Sequence, residues 1–154
     1  MADTYTVERS ALIEATPEQV YPKIADFHEW QAWSPWEGMD PDQQRTYSGA
    51  DSGSGAVYSW SGNRKVGEGR MEITHANEAS RVEIALDFIK PFKSSNTTSF
   101  SLQPEGAGTR VDWSMTGPKT LMTKVMGIFK SMDKMIGPDF ERGLAQLKSQ
   151  VEQT

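Results

Sequence analysis

The chain has 154 residues, 36% of them hydrophobic and 24% charged, which suits one globular domain burying roughly 70% of its unfolded surface. A net charge of −5 argues against a nucleic-acid binder, which needs a basic face to displace counterions. Without cysteine there is no disulfide, thiolate nucleophile or cysteine metal ligand, and no apolar run approaches the ~18 residues of a membrane span.

The chain opens Met-Ala-Asp-Thr, without the basic start and apolar stretch of a signal peptide, so the cytoplasm is the expected location. From Tyr5 to Glu14 the residues alternate, with Tyr5, Val7, Arg9, Ala11 and Ile13 on one face of a strand. Thr16-Pro17-Glu18-Gln19 reads as a capping box with proline at the first helical position. It opens a short helix broken near Ala25, with Pro22 an awkward interior residue. A second short helix follows Asp26, whose cap Glu29 would complete, and carries Trp30 and Trp33.

Ser34 to Asp42 is loop. Strands are then expected at 43–47, 55–60, 67–76, 81–89, 96–103 and 109–116, with turn residues such as Gly53, Asn63, Asn77 and Gly106 between them. Alternation is clearest in Val82, Ile84, Leu86, Phe88 against Glu83, Ala85, Asp87, and in Val111, Trp113, Met115 against Arg110, Asp112, Ser114. Helical spacing resumes from Lys119 to Met135, a break is expected at Gly137-Pro138, and Phe140, Leu144, Leu147 and Val151 form one apolar helix stripe. Strands closed by one long helix make an α+β domain spanning 1–154, with the helix across one sheet face.

The inward side chains of that sheet are Trp60, Met71, Ile73, Ile84, Leu86, Phe88, Trp113 and Met115, and Gly67, Gly69 and Gly55 are places where strands bend cheaply. Alternation alone is met equally by a filled core, which is the plainer reading. Five of the eight methionines fall from Met115 to Met135, among Lys119, Lys124, Lys130 and Lys134. Met suits an irregular helix–sheet seam or a mobile lid. A basic amphipathic segment of this kind also touches anionic membrane surfaces, the less favoured reading of Lys119–Met135.

Chemistry has few candidates. His28 is expected to be exposed. His75 shares inward parity with Met71 and Ile73 at a strand end and is the candidate general base if the chain is an enzyme. The two histidines lie far apart without metal-ligand spacing, so no metal is expected, and no phosphate loop or dinucleotide fingerprint calls for a cofactor. The polar groups best able to orient a guest inside are Tyr58, Trp60 and Trp113.

Blocks along the chain resemble a known family. They are Ala15-Thr16-Pro17-Glu18-Gln19-Val20-Tyr21 with Ala25-Asp26-Phe27 and Trp30, then Trp60-Ser61-Gly62-Asn63, Val66-Gly67-Glu68-Gly69-Arg70-Met71 and Phe88-Ile89-Lys90-Pro91-Phe92. Gly108 to Trp113, Met132 to Gly137 and Asp139 to Lys148 complete the set. Together they resemble the START-like (SRPBCC) superfamily, and within it the bacterial polyketide cyclase/dehydrase-like group. The resemblance implies a helix-grip fold: a curved six- to seven-stranded antiparallel sheet wrapped around a long C-terminal helix, with two short helices after the first strand. It also implies an internal cavity, which Tyr58, Trp60, the other inward strand residues, Phe129, Phe140 and Leu144 would line.

The expected function is binding or carriage of a small hydrophobic molecule, a lipid or an aromatic, polyketide-like metabolite. One alternative is a cyclase or dehydratase, a lyase or isomerase acting on such a molecule. A second is a chaperone-activator-like interaction module, which requires an exposed apolar patch such as the loop with Trp33 and Trp36; the favoured reading of those tryptophans is that they staple the loop onto the sheet. No oligomeric state is implied.

Overall fold

The structure is a computed structural model and describes residues 4–36, 40–63, 67–90, 93–118 and 132–152. Strand β1 (Thr4–Ile13) leads into helix α1 (Pro17–Ala25) and a 3-10 helix (Phe27–Ala32). Then come β2 (Gln44–Gly49), β3 (Ala56–Ser61), β4 (Glu68–Asn77), β5 (Arg81–Lys90), β6 (Ser94–Glu105), β7 (Gly108–Pro118) and helix α2 (Met132–Glu152). The seven strands form one antiparallel sheet in the order β1-β7-β6-β5-β4-β3-β2. Strands β2 to β7 are a meander, so β1 is the far edge, and the two short helices carry the chain from that edge to the other. The strand–helix–sheet–helix plan is the expected helix-grip architecture. Among the described residues no helix is long and apolar enough to cross a membrane.

Local chemistry sets the early elements. The Thr16 hydroxyl accepts from the Gln19 amide at 3.3 Å, and the Gln19 side chain accepts from the Thr16 amide at 2.9 Å, so two orphan donors of α1 are satisfied reciprocally. Pro22 sits inside α1 on an exposed position, where water can take the carbonyl that loses its partner. Asp26 caps the 3-10 helix by accepting from the His28 amide at 2.9 Å. Glu29, expected to complete that cap, accepts from Lys23 at 2.8 Å instead.

Helix α2 buries its stripe fully: Phe140, Leu144, Leu147 and Val151 are no more than 3% exposed. The break expected at Gly137-Pro138 does not occur. Pro138 lies within the continuous helix, and it and Lys134 are exposed, so the one missing hydrogen bond falls on the wet side. The helix runs along β1, held at its edges by Arg9 donating to Glu141 at 2.8 Å and the Glu14 amide donating to Glu152 at 2.7 Å. Gly143 allows the close approach, because a Cβ there would lie 2.8 Å from Pro35 and 2.9 Å from Trp113. The Lys119–Ser131 segment, with Phe129 and most of the lid or membrane-contact stretch, lies outside the described residues.

Register shifts between β4 and β5 bend the sheet at two places, Glu68/Gly69 and Ile73/His75. The first falls where Gly67 and Gly69 predict a bend. The second has no glycine to announce it.

Candidate functional site

The interior has a solid end and a hollow end. At the solid end Trp33, Phe100, Trp113 and Phe140 are no more than 1% exposed and meet in edge-to-face and stacked pairs with centroids 4.1 to 6.0 Å apart. Trp30 joins them and spends its indole N–H on the Ile24 carbonyl at 2.8 Å, while Trp33 donates to the Lys23 carbonyl at 2.9 Å. These two bonds fasten the 3-10 helix to α1 and roof the sheet.

The hollow end is a cavity of about 210 Å³ beneath the start of α2. Tyr58 and Trp60 from β3, Met71 from β4, Leu86 and Phe88 from β5 and Met115 from β7 form its floor. Trp30, Ser34, Trp36 and Gln43 supply one wall, and Ile136 of α2 supplies the cover. Trp60, Phe88, Trp36 and Ile136 are half-buried, so the apolar lining reaches toward solvent. Trp60 lies flat across β4 because its strand partner is Gly69, where a Cβ would be 2.5 Å from the ring. Trp36 is clipped to α2 by its indole N–H, which donates to Asp139 at 3.3 Å. Arg142 donates to the same carboxylate at 3.0 Å and to the Pro35 carbonyl at 3.2 Å.

The structure thus brings together Tyr58, Trp60, Met71, Leu86, Phe88 and Met115 of the residues expected to line a cavity. Ile73, Ile84, Trp113, Phe140 and Leu144 do not line it; all are buried in the core, Trp113 and Phe140 in the solid end, because inward parity selects the face of the sheet and not the position along it. Trp113 is therefore not placed to orient a guest. Trp30, Ser34, Trp36, Gln43 and Ile136 were not expected in the lining. The Trp30, Trp33, Trp36 spacing was the available signal. Trp33 is 0% exposed and its indole is fixed to the Lys23 carbonyl, as the stapled-loop reading expects, so the apolar patch of the interaction-module alternative is absent at this residue.

The inward placement of His75 is also corrected. The extra residue at Ile73/His75 puts Thr74 and His75 both on the exposed face, with His75 opposite Glu83, and parity recovers only at Ala76, opposite the buried Val82. His28 is exposed as expected, its ring stacked on Tyr47 at 4.1 Å and 2.8 Å from Asp26. Among the described residues no group of three or more His, Asp or Glu is arranged to hold a metal.

Polar groups in the lining are few. The Tyr58 hydroxyl accepts from the Gln43 side-chain amide at 3.2 Å, and the Ser34 hydroxyl accepts from the Trp36 amide at 3.4 Å. Gln43 is held by a turn in which its own amide donates to the Asp40 carbonyl at 3.1 Å. The buried Asp40 carboxylate accepts from the Asp42 amide at 2.9 Å and the Asn63 amide at 2.7 Å.

The family described as polyketide cyclase / dehydrase and lipid transport matches residues 4–152. No curated protein matches the sequence. Solved structures share the fold: protein MLL2253 from Mesorhizobium loti has a TM-score of 0.69 at 18% identity, covering 97% of this chain and 98% of that one. Protein CV1439 from Chromobacterium violaceum has 0.68 at 15% identity, over 96% and 97% of the two chains. The Aha1 dimer from Colwellia psychrerythraea has 0.64 at 15% identity, over 96% of each. With the match spanning every described element, the chain belongs to the polyketide cyclase / dehydrase and lipid transport family of the START-like superfamily.

Proposed function

We propose that the protein binds or carries a compact hydrophobic molecule, aromatic or short-chain, in the cavity under the start of α2. The observation that carries this reading is an apolar hollow of about 210 Å³ in a domain whose other end is packed solid. An engineered apolar cavity of about 150 Å³ takes up benzene, so this one has room for a substituted ring. Aromatic and Met side chains dominate the lining and supply dispersion contacts without polar obligations. Family membership supports the same reading.

The cyclase or dehydratase alternative asks for a proton donor or acceptor beside the guest. Among the described lining residues Tyr58 is the titratable one, and His75 faces away. The balance favours carriage.

Propylbenzene and 4-propylphenol titrated into the protein, followed by tryptophan indole N–H signals in NMR, test the reading. Saturable one-to-one shifts at Trp36 and Trp60 are expected, with Leu86→Trp, which fills the hollow, abolishing them in a chain that still melts cooperatively. Shifts that never saturate, or that survive Leu86→Trp, would overturn it.

A further inference from the structure

The segment after α1 carries three tryptophans, and their indole N–H groups are spent in two ways. Trp30 and Trp33 donate to the Ile24 and Lys23 carbonyls at 2.8 and 2.9 Å, backbone acceptors that move only with α1. Trp36 donates at 3.3 Å to a side chain, the Asp139 carboxylate of α2. Arg142, one turn on, donates to that carboxylate at 3.0 Å and to the Pro35 carbonyl at 3.2 Å, so one ion pair ties the end of the segment to the helix. The Asp139 and Arg142 side chains are 30% and 49% exposed. Water competes for both, and an ion pair so placed contributes little to holding a closed state.

Trp36 is also the half-buried lining residue best placed to move. Trp60 and Phe88 are paired on both sides within the sheet and Ile136 belongs to α2, while Trp36 lies in neither strand nor helix. Trp113 and Phe140 meet its ring edge-on, contacts that the indole can leave without disturbing the stacked pair behind it.

We infer that Trp36 is the entrance of the cavity, a flap that swings out to admit and release the guest, and that Asp139 with Arg142 is the fastening that sets how often it opens. The inference rests on the proposed carrier function and adds a route and its control. Entry through a rarely open form makes the observed association rate the product of the open fraction and the rate into that form. Loosening the fastening raises the open fraction, so association and dissociation speed up by one factor. The affinity stays put while the closed form predominates. A fixed wall that merely touches the guest behaves otherwise: its loss speeds dissociation alone and weakens binding.

Stopped-flow mixing of propylbenzene with the protein, read by tryptophan fluorescence, gives both rates. Native association is expected well below the diffusion limit of about 10⁹ M⁻¹s⁻¹. In Asp139→Ala, which frees the indole and Arg142 together, both rates are expected to rise about tenfold, with the dissociation constant moving less than about twofold. Arg142→Met, which keeps the stem and removes both of its bonds, should move the two rates the same way. Glu141→Ala cuts the neighbouring bond from α2 to Arg9 on β1 and should leave them unchanged. Native association at the diffusion limit overturns the inference whether or not the variants fold. Unmoved rates in a folded Asp139→Ala or Arg142→Met also overturn it, as does faster dissociation alone, or an equal rise in Glu141→Ala, which would trace to a looser helix. In each case propylbenzene binding leaves the carrier reading standing. Failure of propylbenzene to bind the native protein removes both.

Discussion

The indole of Trp113 on β7 lies flat against the ring of Phe140 on α2, with 4.1 Å between centroids and 4° between planes. Both side chains are no more than 1% exposed, and Trp36 meets each edge-on at 5.8 and 6.2 Å. This sandwich fastens helix to sheet and forms the boundary between the packed end and the cavity, since Trp36 touches the sandwich and lines the hollow. Phe140→Ala is expected to destabilise the fold by about 3–5 kcal/mol, the usual cost of deleting a buried aromatic. Urea unfolding measures it. A loss below about 1 kcal/mol would contradict a close-packed boundary.

Trp60 and Gly69 make the complementary case at the hollow end. A Cβ on Gly69 would stand 2.5 Å from two atoms of the Trp60 ring and 2.8 Å from the Asp87 carbonyl oxygen. The ring can move but the β5 backbone cannot move cheaply, so Gly69→Ala is expected to cost about 1–3 kcal/mol by overpacking. It should also shift the Trp60 indole resonance while that of Trp33, at the far end, stays put. Identical Trp60 signals in the two proteins would show that the indole does not lie over β4.

Most of the frame is legible in the sequence. The Thr16–Gln19 capping box, the strand alternation and the Phe140–Val151 stripe are local or periodic signals, and each appears where its spacing puts it. What escaped depends on contacts that no period encodes. Alternation fixed which residues face inward, yet Ile73 is fully buried away from the hollow while Met71, two residues earlier on the same strand face, lines the cavity. That depends on which side chains arrive over each position from distant parts of the chain. Gln43, read as the first residue of a strand, lies just outside β2, and nothing in its spacing marked it as part of the cavity wall. The bulge before His75 lacks a glycine, so counting parity through it sent the histidine to the wrong face.

With His75 exposed on the sheet's outer surface, its removal is expected to leave the cavity untouched. His75→Ala should change stability by less than about 0.5 kcal/mol, as surface substitutions generally do. The affinity for 4-propylphenol should also stay within twofold or so of the native value. A tenfold loss of binding would mean that the strand sits in the other register, with His75 turned inward.

Thr98 on β6 is 3% exposed, and its hydroxyl has no hydrogen-bond partner among the described residues. It pairs in register with Ile84 on one side and Met115 on the other, so valine, of the same shape, meets apolar neighbours. Thr98→Val is expected to raise stability by about 1 kcal/mol, the gain from deleting an unsatisfied buried hydroxyl without leaving a hole. Chemical unfolding reads this directly, and a decrease would mean that the hydroxyl has a partner in solution.

The alkaline limit of the fold should depend on Tyr5. Its hydroxyl donates to Asn96 Oδ1 at 2.7 Å, and burial pushes its pKa from 10.0 up to about 12. Between those values the unfolded chain has lost the phenolic proton and the folded one keeps it, so the folded state binds more protons and stability falls as pH rises. The contribution is whole below pH 10.0 and gone near pH 12. Ionisation would also set a phenolate against the Asn96 oxygen that now accepts its proton. Tyr5→Phe is expected to cost about 1 kcal/mol near neutrality through the lost hydrogen bond. Asn96 retains Ser94, to which its amide donates at 3.2 Å. Because the variant has no phenol to ionise at this site, its stability should decline less steeply than the native protein's across the alkaline range. Urea midpoints measured from neutral pH to pH 11 should therefore converge for the two proteins. Parallel curves would place the Tyr5 hydroxyl in water and undo the buried Tyr5–Asn96 bond that ties β1 to the β6 side of the sheet.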